Sequence, residues 1–414
     1  MTVLGAALLL LGAVYAAVIG TFAVGFRRVV RWSPWSVVRG PWSVVDPATP
    51  STLPFVSVIV PARDEAAVIA RCLDTVLACD YPAERFEVIV VDDLSEDDTP
   101  AVVERLMQRV NAPVPAGSDV PEAPERLRLL HMPENLERMR AHKKRAIEKG
   151  IAHARGPLIL TTDADCTVPA GWLRAMAAGF PDLDADPEAG PVTAFVSGPV
   201  RYRTGGGLFA RLQALEFLGL VAVGAGAIGA GRPTICNGAN VAYRKDVFEA
   251  LGGFSGIDHL TSGDDELLMQ RIHDHTPHRV RFCAAPEAVV DTDPAPSPRA
   301  FFQQRRRWAS KGAHYPNKRL VALFVAIYLF YAGLLAGALA LPFAPALAPW
   351  LGAAFALKVL PEAALLWPAC RHFGRRRLFG LFLPEQVLHV PYIVVLAAAG
   401  ALGHYEWKGR RVAR

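Results

Sequence analysis

FEVIVVDDLS, residues 86–95, is the stretch on which the fold reading turns. A short apolar run rich in β-branched residues, buried on both faces, reads as a strand of a parallel sheet. Two aspartates, Asp92 and Asp93, close it. Working outward, FVSVIVPARDE at 55–65 repeats the form, as do the apolar runs 127–131 and 157–161. Helical patterns lie between them at 65–78, 99–110 and 141–154. The series predicts an α/β fold around a mainly parallel sheet. In such sheets ligands sit beyond the carboxyl ends of the strands, and the acidic clusters of this chain fall there. The stretches 111–126 and 181–191 read as surface loops.

The chain has 414 residues, of which 44 are Lys or Arg and 39 Asp or Glu. Charged residues make up 20% and hydrophobic ones 52%. Globular chains carry about 25% charged residues. The shortfall excludes a disordered chain and argues against a wholly soluble one. The length allows roughly two to three domains. A net charge of +5 is a weak sign of nucleic acid. The basic residues instead flank apolar runs, so a membrane is the expected partner and nucleic acid is not.

Residues 1–26 contain no charged side chain, and a bilayer-crossing helix needs about 20 apolar residues. A cleaved signal peptide would carry its positive charge ahead of the apolar core. Here Arg27, Arg28 and Arg31 follow it, which favours a retained transmembrane anchor with the next residues in the cytoplasm. Residues 27–54 read as an interfacial linker, with Trp32 and a repeated Pro-Trp-Ser-Val-Val at 34–38 and 41–45. A second uncharged run, Leu320 to Leu357, is broken by Pro342, Pro345 and Pro349. It predicts spans near 320–341 and 350–367, the latter carrying Lys358 and Glu362 as a self-neutralising i,i+4 pair. Arg371 and Arg375–Arg377 return the chain to the cytoplasm. The segment 378–403, interrupted by Pro384, Glu385, His389 and Pro391, reads as re-entrant or interfacial ahead of a third span. That choice keeps Lys408, Arg410, Arg411 and Arg414 inside. The apolar run 217–231 is short for a span and reads as a helix on the membrane surface or against the C-terminal spans.

The chemistry-bearing residues stand at strand ends and helix starts. Pro61–Glu65 ends the first strand, and Asp92-Asp93-Leu94-Ser95 ends the second. Glu65, Asp92 and Asp93 are placed to accept hydrogen bonds from a base or ribose, while Asp97 and Asp98 suit capping of the next helix. Asp163-Ala164-Asp165 follows the fourth strand. On an extended strand this spacing puts both carboxylates on one face, where a hard divalent cation can relieve their repulsion and bridge to a diphosphate. Asp264 and Asp265 open a helix over 264–274, where helix-dipole pairing is the competing explanation. Gln304-Arg305-Arg306-Arg307-Trp308 precedes the first C-terminal span, where a positive flank with an interfacial Trp competes. His273, His275, His278 and Asp274 read as a polar helix end. The six cysteines, with no Cys-x-x-Cys pair, read as reduced thiols.

In order along the chain these motifs resemble the family 2 glycosyltransferases with a GT-A catalytic domain. The likeness is to the membrane-embedded branch of cellulose and hyaluronan synthases and ceramide glucosyltransferase, and it covers residues 55–315. The resemblance implies a nucleotide-sugar-binding domain over 55–315 and a C-terminal transmembrane region over 316–414. It implies nucleotide contacts for Asp92 and Asp93 and a diphosphate contact for Lys143, beside His142 where relatives often have Gly. It implies metal and donor-sugar binding for Asp163 and Asp165, with Mg2+ or Mn2+ as cofactor. Asp265 matches the general base, with Asp264 beside it in a positional role, and Gln304, Arg307 and Trp308 match the acceptor and diphosphate end. Cys236–Asn240 matches a segment beside the acceptor, though backbone packing explains its glycine equally. The expected function is inverting transfer from a UDP- or GDP-sugar to a lipid or membrane-linked acceptor, with the catalytic domain in the cytoplasm. A processive polysaccharide synthase and a catalytically silent nucleotide-sugar-binding scaffold are the alternatives.

Overall fold

The structure, a computed structural model, describes residues 2–32, 53–112, 125–133, 141–257, 263–309, 317–401, 405–407 and 410–412. The Pro-Trp-Ser-Val-Val repeat, most of the 111–126 loop, Lys408 and Arg414 lie outside the described residues. The elements, numbered in chain order, begin with helix α1 (Thr2–Trp32), then β1 (Val56–Ala62), α2 (Ile69–Leu77), β2 (Phe86–Asp92), α3 (Thr99–Val110), β3 (Leu127–His131), α4 (His142–Ala152) and β4 (Leu158–Thr161). Next come α5 (Trp172–Ala177), β5 (Thr193–Ser197), β6 (Val200–Tyr202), α6 (Leu208–Gly229), β7 (Val241–Arg244), α7 (Lys245–Ala250), α8 (Glu266–His275), β8 (Arg279–Phe282) and β9 (Val290–Thr292). The chain closes with α9 (Pro298–Ala309), α10 (Lys318–Ala340), α11 (Ala348–His372), a 3-10 turn over Arg376–Leu381 and α12 (Phe382–Ala401). Residues 28–201 and 232–293 form one unit; residues 1–27, 202–231 and 294–414 form the other.

The first unit is built on a seven-stranded sheet in the order β3-β2-β1-β4-β7-β5-β8. The pairs β1–β2, β1–β4, β2–β3 and β5–β8 are parallel, and β7 runs antiparallel to β4 and β5. Every residue of β2 and β4 is buried, which is why these strands are continuous apolar runs rather than alternating ones. Besides Asp92 at its end, the exception in β2 is Glu87. Its carboxylate accepts from Ser57 Oγ at 2.8 Å and from Arg155 Nε at 2.9 Å, so the buried charge is paired. That brace lies at the amino end of the strands. Beyond β1 the chain goes first to β2 and then, by way of β3, to β4 on the other side. The order therefore reverses between β1 and β4, which opens a crevice at their carboxyl ends.

The second unit gathers α1, α6, α9, α10, α11 and α12. Among the described residues, five helical segments are long and apolar enough to cross a membrane: Val3–Arg31, Leu208–Gly229, Lys318–Ala340, Pro345–His372 and Arg376–Gly400. The helix over 208–229 is longer than the apolar run at 217–231 suggested. It packs closely on α1, for a Cβ added to Gly25 would stand 2.0 Å from Gly226 O. Glycine is needed at this crossing because only there can the two backbones touch. Lys358 and Glu362 do form an ion pair at 3.0 Å. Tyr15 Oη donates to Glu362 at 2.5 Å and Tyr331 Oη at 3.3 Å, and Lys358 also donates to Gln386. Helices α1, α10, α11 and α12 are thus joined through one buried polar cluster.

Candidate active site

The carboxyl ends of β1, β2 and β4 lead into Asp64, Glu65, Asp92, Asp93, Asp163 and Asp165, and the loops after β1 and β2 are unusually constrained. Asp64, Leu94 and Ala141 adopt left-handed backbone, with φ of 51°, 58° and 61°. For Leu and Ala this costs energy and persists only where surrounding contacts over-determine it. Arg63 supplies some of those contacts. It is buried and donates from Nη1 to the carbonyls of Asp93 at 2.8 Å and Leu94 at 2.7 Å. The Glu65 N–H donates to Thr99 Oγ1 at 2.8 Å, and Asp97 accepts from Thr99 N at 2.9 Å, while Asp98, the N-cap residue of α3, makes no side-chain cap bond.

Asp92 and Asp93 are both 4% exposed. Asp92 accepts from Ser95 N at 3.3 Å, and His131 Nδ1 lies 3.5 Å away. Asp93 Oδ1 stands 3.1 Å from His142 Nδ1 at the start of α4. His142 thereby gives the second aspartate a polar partner that the sequence reading did not assign. The contact joins positions far apart in the chain, and only the left-handed turn at Ala141 aims the imidazole.

β4 ends at Thr161, so Asp163 and Asp165 lie in the turn beyond it rather than on one strand face. Cys166 N closes that turn on Asp163 O at 3.1 Å. Lys143 reaches it from α4. Its Nζ lies 2.8 Å from Asp163 Oδ1 and 3.3 Å from Asp264 Oδ2. Burial alone would push the Lys143 ammonium down, but Asp163 and Asp264 hold it above the usual lysine range. Lysine therefore stays charged and joins the Asp-x-Asp turn to the acidic pair.

Asp265 caps α8. Its Oδ1 accepts from Glu266 N at 2.7 Å and its Oδ2 from Gly238 N at 2.6 Å. These bonds fix the carboxylate plane while using one lone pair of each oxygen. Gly238 is brought there because β7 runs antiparallel to β4: Val241 pairs with Thr161, and Thr161 Oγ1 donates to Gly238 O at 3.0 Å. A Cβ at 238 would meet the side chains of Asp264 and Asp265 at 3.2 and 3.3 Å, so the glycine lets the acidic pair close on the strand. Asn240 is packing. It accepts from Trp172 Nε1 at 2.9 Å and donates to Pro199 O and Ala288 O.

A divalent ion fits this chemistry with few protein ligands. Among the described residues no group of three or more His, Cys, Asp or Glu side chains gathers as a metal site. Asp163 and Asp165 offer hard oxygen ligands, and the remaining coordination would come from a diphosphate and water. None of the six cysteines is in a disulfide, and burial pushes the Cys79 and Cys283 thiols up to about 12.

Gln304, Arg307 and Trp308 belong to α9, in the other unit. Gln304 Oε1 accepts from Tyr202 Oη at 3.3 Å, and Trp308 lies 5.9 Å from Phe217, ring centre to ring centre. Arg305 is the residue of this run that packs inward, at 2% exposure.

Comparison with known proteins identifies the family and the fold. Residues 57–252 match the sequence model of the family described as Glycosyl transferase family 2, and residues 158–370 that of Glycosyl transferase family group 2. The chain is 27% identical over 230 residues to Glycosyltransferase AglE of Haloferax volcanii, covering 54% of this chain and 63% of that one. It is 28% identical over 267 residues to the beta-monoglucosyldiacylglycerol synthase of Synechocystis sp., covering 63% and 49%. The match thus spans about half to two thirds of the length of these curated relatives. The solved structure of the mannosyltransferase PcManGT from Pyrobaculum calidifontis, in complex with GDP-Man and Mn2+, superposes with a TM-score of 0.53 at 24% identity, over 96% of this chain and 97% of that one. With the second model covering more than half of the chain, the protein belongs to the family 2 glycosyltransferases and carries their GT-A fold.

Proposed function

We propose that the protein transfers a single sugar from a UDP- or GDP-sugar to a lipid or membrane-linked acceptor, with inversion at the anomeric carbon. The catalytic region is residues 55–315, facing the cytoplasm between an anchor at 1–26 with its linker at 27–54 and a multi-pass region at 316–414. The observation that carries the reading is the bridge from Asp163 through Lys143 to Asp264, beside the capped carboxylate of Asp265. It supports a site where an anionic leaving group and a proton acceptor are held close together.

In this reading Asp92 and Asp93 hold the nucleoside, with Glu65 at the neighbouring strand end. Asp163 and Asp165 would hold Mg2+ or Mn2+, which when bound supplies charge neutralisation for the diphosphate. Lys143 adds a fixed positive charge as the leaving-group charge grows. Asp265 takes the proton of the acceptor hydroxyl while the oxygen attacks, a contribution of about 10²–10⁴ in rate. Asp264 orients Lys143. Gln304, Arg307 and Trp308 are assigned to the acceptor and diphosphate. One in-line displacement needs no second nucleophile, hence inversion. The relative named as a glucosyldiacylglycerol synthase supports a lipid acceptor.

The test is a donor panel offered to membranes containing the protein, followed by mass analysis of the lipid products. One lipid heavier by a single sugar is the expected result. A ladder of products would establish the processive alternative, and nucleotide-sugar binding without product the silent scaffold.

A further inference from the structure

An amide side chain has one acceptor oxygen and two N–H donors, and its neighbours decide which end it turns outward. In the helical unit, Gln304 Oε1 accepts from Arg305 Nη1 at 3.2 Å as well as from the Tyr202 hydroxyl at 3.3 Å. Arginine has donors only, so the oxygen must face it. The reversed amide would set N–H against N–H. Arg305 is itself fixed from several sides. Its Nη2 bonds to Glu216 of α6, and Glu216 accepts from Tyr392 of α12 at 3.4 Å. The guanidinium carbon lies 4.1 Å from the Trp308 ring centre and 4.8 Å from that of Phe301. Burial opposes the charge of Arg305, but Glu216 more than restores it, so it stays a cation in place.

We propose that Arg305, held by Glu216, is a positioning residue for Gln304: it fixes the amide so that the NH2 group is the end offered to an oxygen of the substrate. The same guanidinium lies over the Trp308 ring, so one buried cation orders two residues of the motif. Arg305 itself touches no substrate. The inference rests on the glycosyltransferase reading and deepens it.

The experiment uses the full chain in membranes, with kcat and KM for donor and acceptor, nucleotide affinity and thermal stability measured together. Arg305→Lys is predicted to lower kcat/KM about tenfold in the wild-type background. In a Gln304→Ala background it should cost little more, because the loss acts through one amide. Gln304→Glu keeps oxygens toward Arg305 but has no donor, and is predicted to fall with Gln304→Ala. Should Arg305→Lys not fold, Glu216→Gln removes the charge that holds the guanidinium, and the same cycle with Gln304→Ala decides. Multiplicative losses in the double variant, or a Gln304→Glu enzyme of wild-type rate, overturn the inference alone. A wild type that turns over no UDP- or GDP-sugar overturns the glycosyltransferase reading and this inference with it.

Discussion

Lys143 stands where three motifs meet, and its neighbours explain why the site needs a cation. Asp163 and Asp264 would repel each other across that gap without the ammonium between them. Lys143→Met removes the charge but keeps most of the stem. Transfer should drop by about 10²–10³ in kcat, as for loss of one transition-state donor. Steady-state rates with donor in excess check this. The proposed metal-holding role of Asp163 and Asp165 predicts that turnover needs a divalent ion. Excess EDTA should silence the wild type, and Asp165→Asn should abolish turnover with nucleotide still bound. Full activity in EDTA would remove the metal from the mechanism. The acidic residues were legible in the sequence because each ends an apolar run or opens a helix. Their partners were not. His142 meets Asp93, and Gly238 meets Asp265, only because the antiparallel β7 and the left-handed turn at 141 fold distant positions together. Asp265 caps α8, and the proposal gives the same carboxylate the role of base, although local sequence presents the two roles as rivals.

At the scale of elements, β1, β2 and β4 were readable because each is an apolar run buried along nearly all of its length, whereas β3 is mostly half-exposed and carries no β-branched residue. The Asp-x-Asp pair shows the limit of that reading. Its strand stops at Thr161, and a turn rather than a pleat sets the carboxylates. Helix α6 shows another limit. Arg211 and Glu216 shorten its apolar run, and the bond that neutralises Glu216 comes from Arg305, on a distant helix. The Lys358–Glu362 pair was legible because its spacing is local, while Tyr15, Tyr331 and Gln386 join it from three other helices. Buried pairs make a sharp prediction. Lys358→Met alone leaves the Glu362 charge buried and should cost about 3–5 kcal/mol. Combining it with Glu362→Gln should recover much of that loss. Thermal unfolding in detergent of both variants measures the difference. Equal losses in the two would show that the pair is not coupled.

For the molecule as a whole, the arginine flanks predict how the chain lies in a membrane. A reporter inserted at Gly190 should read cytoplasmic, and one at Ala344 external, with the C-terminal tail cytoplasmic. A cytoplasmic signal at Ala344 would mean that α10 and α11 do not form a pair of spans. The central claim concerns chemistry, and it depends on a carboxylate that can take a proton. Asp265→Asn is nearly isosteric and cannot. The most direct measurement is nucleoside diphosphate release from a panel of UDP- and GDP-sugars by wild type, Asp264→Asn and Asp265→Asn, each first matched for membrane insertion and nucleotide affinity. The account predicts release by the wild type from a matched donor, a milder loss in Asp264→Asn, and a loss of at least about 100-fold in Asp265→Asn, close to 3 kcal/mol of barrier. Near wild-type release by Asp265→Asn would contradict it.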